Sequence, residues 1–336
     1  MMSHVHELWL QFPVLFDLPG LLPRKTRSAQ ARRAFLQALE SCLPHLDTSL
    51  KECSGAPSRP PANVLNALQQ QSPWTARKHY RYVCIQARSE LSLDETSPPE
   101  SMSRESWGRL IGATNLREAV LRMLVLTELA YPSLIAVSAG HVVGPTVGTT
   151  HRLEKRPFYS LGEDSKGSNV WPQLQTLPIE GVVSWAAKAG YNQEGIARGR
   201  VHRAFAAFTQ CVGLTESRPG EVLFRSMQGL EAFYCDGNGD LRKQLDDKSR
   251  LWLGNMPPGN MSIGKLYEQR SKVIHGASPI LFWPEIFDAA PGVSDVQSSL
   301  SDAACYAFRL LVATLQEAIR QRIHEVTWSY AVTTDT

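Results

Sequence analysis

Leu266-Tyr267-Glu268-Gln269-Arg270-Ser271-Lys272-Val273-Ile274-His275-Gly276 is the stretch on which the reading of this chain turns. On an ideal helix at about 100° per residue, Ile263, Leu266, Tyr267, Val273 and Ile274 share one apolar arc, and Arg270 stands in the middle of it. A guanidinium there cannot simply point into water. Buried alone it is costly, so the position calls for a carboxylate partner or for a wet cleft formed with another surface. Glu231, which borders the apolar stripe of an upstream helix, is the nearest candidate partner, ahead of Asp246 and Asp247. His275 lies about 140° around the helix from Arg270, on the flank of Ser271, so the two reach a common point only at the edge of the face. Its place in the last turn, by the negative end of the helix dipole, suits a residue that hands on a proton.

Working outward, the helical period is regular beyond about residue 195. Val201, Phe205, Phe208 and Val212 recur at spacings of four, three and four, as do Leu223, Met227, Leu230 and Tyr234, which gives two amphipathic helices. Asp236-Gly237-Asn238-Gly239 is a turn into a third helix, Leu241 to Leu253, which Met256-Pro257-Pro258-Gly259 stops. The fourth runs from Ser262, an expected N-cap, to His275, with Gly276 as its stop. Leu300, Ala304, Phe308, Leu311, Leu315, Ile319 and Ile323 form the stripe of a long last helix. These periods predict an all-α bundle of about five helices over 195–326.

An Arg followed five positions later by His means little as a bare pattern. With 25 Arg and 9 His in 336 residues, about 0.7 such pairs are expected by chance. The context is what makes it specific: the pair ends a helix inside a bundle, preceded by Leu266-Tyr267 and followed at once by Gly276.

That string resembles the Arg-x4–6-His motif of the HEPN superfamily, and in particular its ApeA-like branch, with the signature Leu-Tyr-x-x-Arg-Ser-x-x-x-His-Gly. Gly229-Leu230-Glu231-Ala232-Phe233-Tyr234 and Ser249-Arg250-Leu251-Trp252-Leu253-Gly254 are similar to the preceding helices of that branch. The resemblance covers roughly the last 140 residues. It implies a metal-independent, cofactor-free endoribonuclease, found mostly in toxin, abortive-infection and antiphage systems, whose site is completed by homodimerisation. In that scheme His275 is the general acid or base, Arg270 stabilises charge on the phosphorane, Ser271 orients the phosphate and Glu231 holds the arginine. The alternative is a non-catalytic RNA- or nucleotide-binding or dimerisation module, with Arg270 and Glu231 a structural pair and His275 a helix-end cap.

The formal charge of +3 is small for this length. Residues 1–190 carry 20 Lys and Arg against 16 Asp and Glu, and the rest carry 15 against 16. An RNA partner, single-stranded or looped and with transfer RNA among the candidates, must therefore meet a local basic patch. Arg198, Arg200 and Arg203 around His202, with Lys272 in the motif itself, are the candidates for that contact.

The first 190 residues are expected to form a separate, mostly helical domain that senses a signal, binds a protein partner or selects the RNA. Helix-compatible stretches run from Ser28 to Cys42, Asn63 to Gln71, Thr75 to Ser89 and Ser106 to Ala130, with breaks at Ser54 to Pro61 and Asp94 to Ser103. Gly140, Gly144 and Gly148 lack the Gly-Lys-Ser/Thr of a phosphate loop, so 140–180 reads as a loop or hairpin ending the domain. His4 and His6, or His141 and His151, are weak metal candidates.

The apolar run from Leu8 to Leu22 has no basic n-region and is broken by Pro13, Asp17 and Pro19, which argues against a signal peptide. Leu121 to Val143, interrupted by Arg122, Glu128, Pro132 and His141, reads as a core helix and loop, not a membrane span. Six scattered cysteines without a C-x-x-C pair are those of a reduced, cytoplasmic protein.

Overall fold

Tyr80–Leu91, expected as the end of a helix from Thr75 to Ser89, is instead a strand. Val83, Ile85, Ala87 and Ser89 are buried while Gln86 and Arg88 are exposed, so the burial follows a period of two. The structure, a computed structural model, describes residues 2–13, 24–47, 49–71, 80–91, 98–143, 170–191, 195–212, 218–278 and 293–329. Their contacts divide the chain into two units, Met1–Lys166 with Thr176–Ala187, and Gly167–Gln175 with Lys188–Thr336. Residues 167–175, expected at the end of the first domain, thus belong to the second.

The first unit carries helices, as expected, together with a four-stranded sheet that the mostly helical expectation did not include. Its strands are β1 (Met2–Pro13), β2 (Leu50–Pro57), β3 (Tyr80–Leu91) and β4 (Ala139–Val143), and its first helices are α1 (Arg24–Leu46), α2 (Ala62–Gln71) and α3 (Arg104–Ala130). The strands form one antiparallel sheet in the order β2-β3-β1-β4, with β1 and β3 paired along their whole length from Met2 and Leu91 to Pro13 and Tyr80. Two β-α-β halves interleaved in this order make the ferredoxin-like arrangement, with α2 added in the β2–β3 connection.

Leu8, Leu10 and Phe12 lie on the sheet face that α1 and α3 cover, where Phe12 meets Phe35 edge to face. On the opposite face Trp9 and Ala139 pack with Val64 and Leu68 of α2, flanked by Tyr82 and Cys84. Ser103 caps α3 by accepting from the Ser106 amide at 3.2 Å. After α3 the chain returns through Leu177, whose amide donates to the Ala130 carbonyl at 2.9 Å, into α4 (Ile179–Lys188). Gly144 and Gly148 of the glycine-rich segment lie outside the described residues, while Gly140 sits in β4.

The second unit carries five helices at the expected places: α5 (Arg200–Val212), α6 (Pro219–Tyr234), α7 (Leu241–Leu253), α8 (Ile263–Ile274) and α9 (Val293–Arg320). Helix α6 lies between α5 and α9. Gly229 permits the close approach, since a Cβ there would stand 3.0 Å from both Ala207 Cβ and Leu311 Cδ1. Phe205, Phe208 and Phe308 stack through this contact, and the Tyr234 hydroxyl bonds Thr314 at 2.9 Å. Residues 170–175 are laced onto α9, with the Gln316 amide both accepting from the Gln175 N–H (3.0 Å) and donating to its carbonyl (2.7 Å). No helix among the described residues is long and apolar enough to cross a membrane.

Candidate functional site

Helix α8 is fixed at both ends by its sequence. The Ser262 hydroxyl accepts from the Lys265 amide at 3.2 Å, and Ile263 and Leu266 are fully buried. At the other end His275 is the C-cap, its amide donating to the Ser271 carbonyl at 3.0 Å. Gly276 follows at φ +70°, the left-handed conformation that favours glycine after a helix. Burial fades along the helix, so the apolar arc is closed at Ile263 and Leu266 and open by Ile274, which is 42% exposed.

Arg270 sits where that arc opens. Its Nη2 is 3.7 Å from Glu231 Oε2 of α6, and the side chains are 31% and 20% exposed. This is an ion pair without a full hydrogen bond. Arg270 Nε, Glu231 Oε1 and the Tyr267 hydroxyl are each buried without a hydrogen-bond partner among the described residues. Tyr267 lies close enough to Glu231 and Cys235 to feel both, and its phenol is pushed well up, first by burial and then by the Glu231 charge. Burial, followed by the same carboxylate, also raises the Cys235 thiol to about 11. That thiol donates to the Leu241 carbonyl at 3.4 Å.

The other motif residues face outward. The side chains of His275 and Ser271 are exposed, and His275 has no side-chain hydrogen bond or ion pair among the described residues. Lys272 is exposed and pairs with Glu268 at 2.6 Å, a contact that solvent keeps weak. Five residues of helix separate His275 from Arg270 by about 7.5 Å of rise as well as the 140° turn. Arg270 thus faces α6 and His275 faces away, and no bond links them.

Of the predicted basic patch, Arg198 and Arg203 are exposed, whereas Arg200 is engaged inside the bundle. Its Nη1 donates to the Cys235 carbonyl at 2.5 Å and its Nη2 pairs with Asp236. Asp236 also holds the buried Lys248 at 2.7 Å, and Lys248 lies over the Trp328 ring. Cys235 is therefore a shared neighbour, with its carbonyl on Arg200 and its thiol towards Tyr267.

The arrangement of Glu231 with Arg270 was readable from the sequence. The parts of Tyr267 and Cys235 were not, because both counted as apolar. One signal was available for Tyr267: a phenol three residues before an arginine on a buried arc needs a partner for its hydroxyl.

On the other flank of α8, Met261, Lys265 and Gln269 face Ser298, Ser299 and Asp302 of α9 across a cleft of about 220 Å³. Of the histidines considered as metal ligands, His151 lies outside the described residues, and His4, His6 and His141 gather no site among them. His6 is buried and bonded to Ser89 at 2.6 Å, and no group of three His, Cys, Asp or Glu residues is placed to share an ion. No protein-family model matches this chain, and neither does any curated protein or solved structure.

Proposed function

We propose that the bundle of residues 195–326 is a HEPN-type endoribonuclease acting as a homodimer, an RNA-cleaving effector of a toxin, abortive-infection or antiphage system. The observation that carries this reading is the state of Arg270. An arginine on the inward arc of α8, 31% exposed and held loosely by one carboxylate at 3.7 Å, keeps positive charge that an anion can meet. His275 stands exposed at the end of the same helix, free of other partners among the described residues.

In the proposed reaction the 2′-hydroxyl of the RNA attacks the adjacent phosphorus and the bond to the 5′-oxygen breaks. His275 takes the proton from the one or gives it to the other, and Arg270 stabilises the charge gathered on the phosphorane. Ser271 orients the phosphate, and Arg198 and Arg203 bind the backbone. The products are a 2′,3′-cyclic phosphate and a 5′-hydroxyl, and the nucleophile is already in the substrate, so no metal is needed to make one. The N-terminal unit senses the trigger or selects the RNA.

One bundle alone does not bring His275 and Arg270 to one point. This divergence favours a site completed by a second copy, and it equally favours the second reading, a binding or assembly module without catalysis. The apolar rim at the α6–α8 contact suits the dimer. Phe224 is 37% and Ile274 42% exposed, one turn on from Gly220 and next to Val273 respectively, and a Cβ on Gly220 would stand 3.5 Å from Val273 Cγ1. Incubation of the purified chain with total RNA in EDTA, beside His275→Ala, separates the readings. Cleavage lost in the variant supports the nuclease, and retained RNA in both lanes supports the module.

A further inference from the structure

The flank of α8 turned to α9 carries charge that the bundle does not use. Other charges of these helices pair along their own helix, Glu268 with Lys272 at 2.6 Å, Asp246 with Arg250 at 2.9 Å and Glu317 with Arg320 at 2.5 Å. Lys265 of α8 and Asp302 of α9 do not. Both line the cleft of about 220 Å³ between the two helices, and neither side chain makes a hydrogen bond or ion pair among the described residues, with the other or with a third group. The side chains of Gln269, Ser298 and Ser299, which share the cleft, are likewise unbonded among the described residues. A cation thus stands on one wall and an anion on the other, held apart.

Size and charge together bound what such a cleft takes. Its volume lies below the roughly 300–1,000 Å³ of sites for drug-sized ligands, so the ligand is small. Lys265 and Asp302 cancel, so a multiply charged anion such as a nucleotide finds no net attraction, whereas a molecule with a carboxylate at one end and an ammonium at the other meets a complement on both walls. Gln269, Ser298 and Ser299 offer groups that donate and accept, and Met261 offers an apolar contact.

We infer that the α8–α9 cleft is a binding site for a small zwitterion of the free α-amino acid class, its carboxylate on Lys265 and its ammonium on Asp302. The site is separate from the Arg270–Glu231 contact, on the opposite flank of α8, and stands whether or not the chain cleaves RNA. Both charges are exposed, so solvent weakens each contact, and a Kd on the order of 0.1–1 mM is expected.

Isothermal titration calorimetry of the full chain tests this site. The titrants are the proteinogenic L-amino acids one at a time, with AMP and inorganic phosphate beside them, and the N-acetyl and methyl ester forms of the tightest amino acid. At least one amino acid should bind; Lys265→Met and Asp302→Asn, with circular dichroism unchanged, should each weaken it about tenfold or more, as should acetylation and esterification. Lys272→Met, outside the cleft, should leave binding unchanged. Absence of saturation by every amino acid up to about 10 mM, undiminished affinity in both charge variants, or binding of AMP or phosphate as tight as that of the amino acid and lost in the same variants overturns the inference. The titration needs no activity, so a chain that leaves RNA intact removes the nuclease reading while the cleft is still decided.

Discussion

At the scale of single residues, His275 and Arg270 differ in what they hold up, and their alanine variants should differ accordingly. His275 is exposed at the C-cap of α8 and contributes its backbone, not its ring, to the helix end. His275→Ala should therefore abolish cleavage and shift stability by less than about 1 kcal/mol. Arg270→Ala should abolish cleavage too, but it also strips Glu231, which is 20% exposed, of its counter-charge. For a fully buried pair the loss would be about 3–5 kcal/mol; at this exposure and a separation of 3.7 Å, about 1 kcal/mol is expected. Urea unfolding of the two variants checks the order, and a His275→Ala loss larger than that of Arg270→Ala would contradict it. The Arg270–Glu231 approach could be read from the sequence because Arg270 interrupts an apolar stripe of period 3.6 and Glu231 borders another. Tyr267 was hidden by counting as part of such a stripe.

At the scale of elements, the helices of the second unit were readable because each carries its own period and its own stop, as Ser262 and Gly276 do for α8. The sheet of the first unit was not. Strand β3 buries Val83, Ile85 and Ala87 on one face and rests Tyr82 and Cys84 against α2 on the other, so its alternation is blurred into an apolar run that a helix could equally carry. Its partner β1 lies some eighty residues away in the chain, a pairing that local patterns do not encode.

The β1–α3 crossing offers a test of this sheet. His6 is buried under Gly112, bonded to Ser89, and its pKa is lowered to about 4 by burial, with His4 and Arg109 adding in the same sense. The unfolded chain takes up that proton near pH 6.5 and the folded unit only near 4, so the stability is whole above pH 6.5 and is lost as pH falls through that interval. The loss should reach at most about 3 kcal/mol. Denaturant midpoints between pH 7 and 4.5 should fall more steeply for the wild type than for His6→Gln, and parallel curves would place His6 outside the core.

At the scale of the whole molecule, the account depends on a second copy of the chain. Arg270 and His275 diverge on α8, so one bundle leaves them unconnected, and the exposed Phe224 and Ile274 at the α6–α8 contact are the surface on which a partner would seat. Ile274→Glu should convert a dimer to a monomer in sedimentation and abolish RNA cleavage together, with the circular dichroism unchanged. A monomeric variant of full activity would show that the site is complete in one chain. The divergence of Arg270 and His275 follows from the helical period of α8; where the burial ends, which leaves Ile274 exposed, does not.

The chemistry of the cut ends decides whether Arg270 and His275 form an RNA-cleaving site. RNA cleaved by the wild-type chain in EDTA should carry 2′,3′-cyclic phosphate and 5′-hydroxyl ends, a 2′-O-methyl group at the cut site should block the cut, and DNA should be spared, since the 2′-hydroxyl is itself the nucleophile. Cleavage that strictly requires Mg²⁺ and leaves 5′-phosphates, or that persists in His275→Ala, would contradict the assignment of Arg270 and His275 to an RNA-cleaving site.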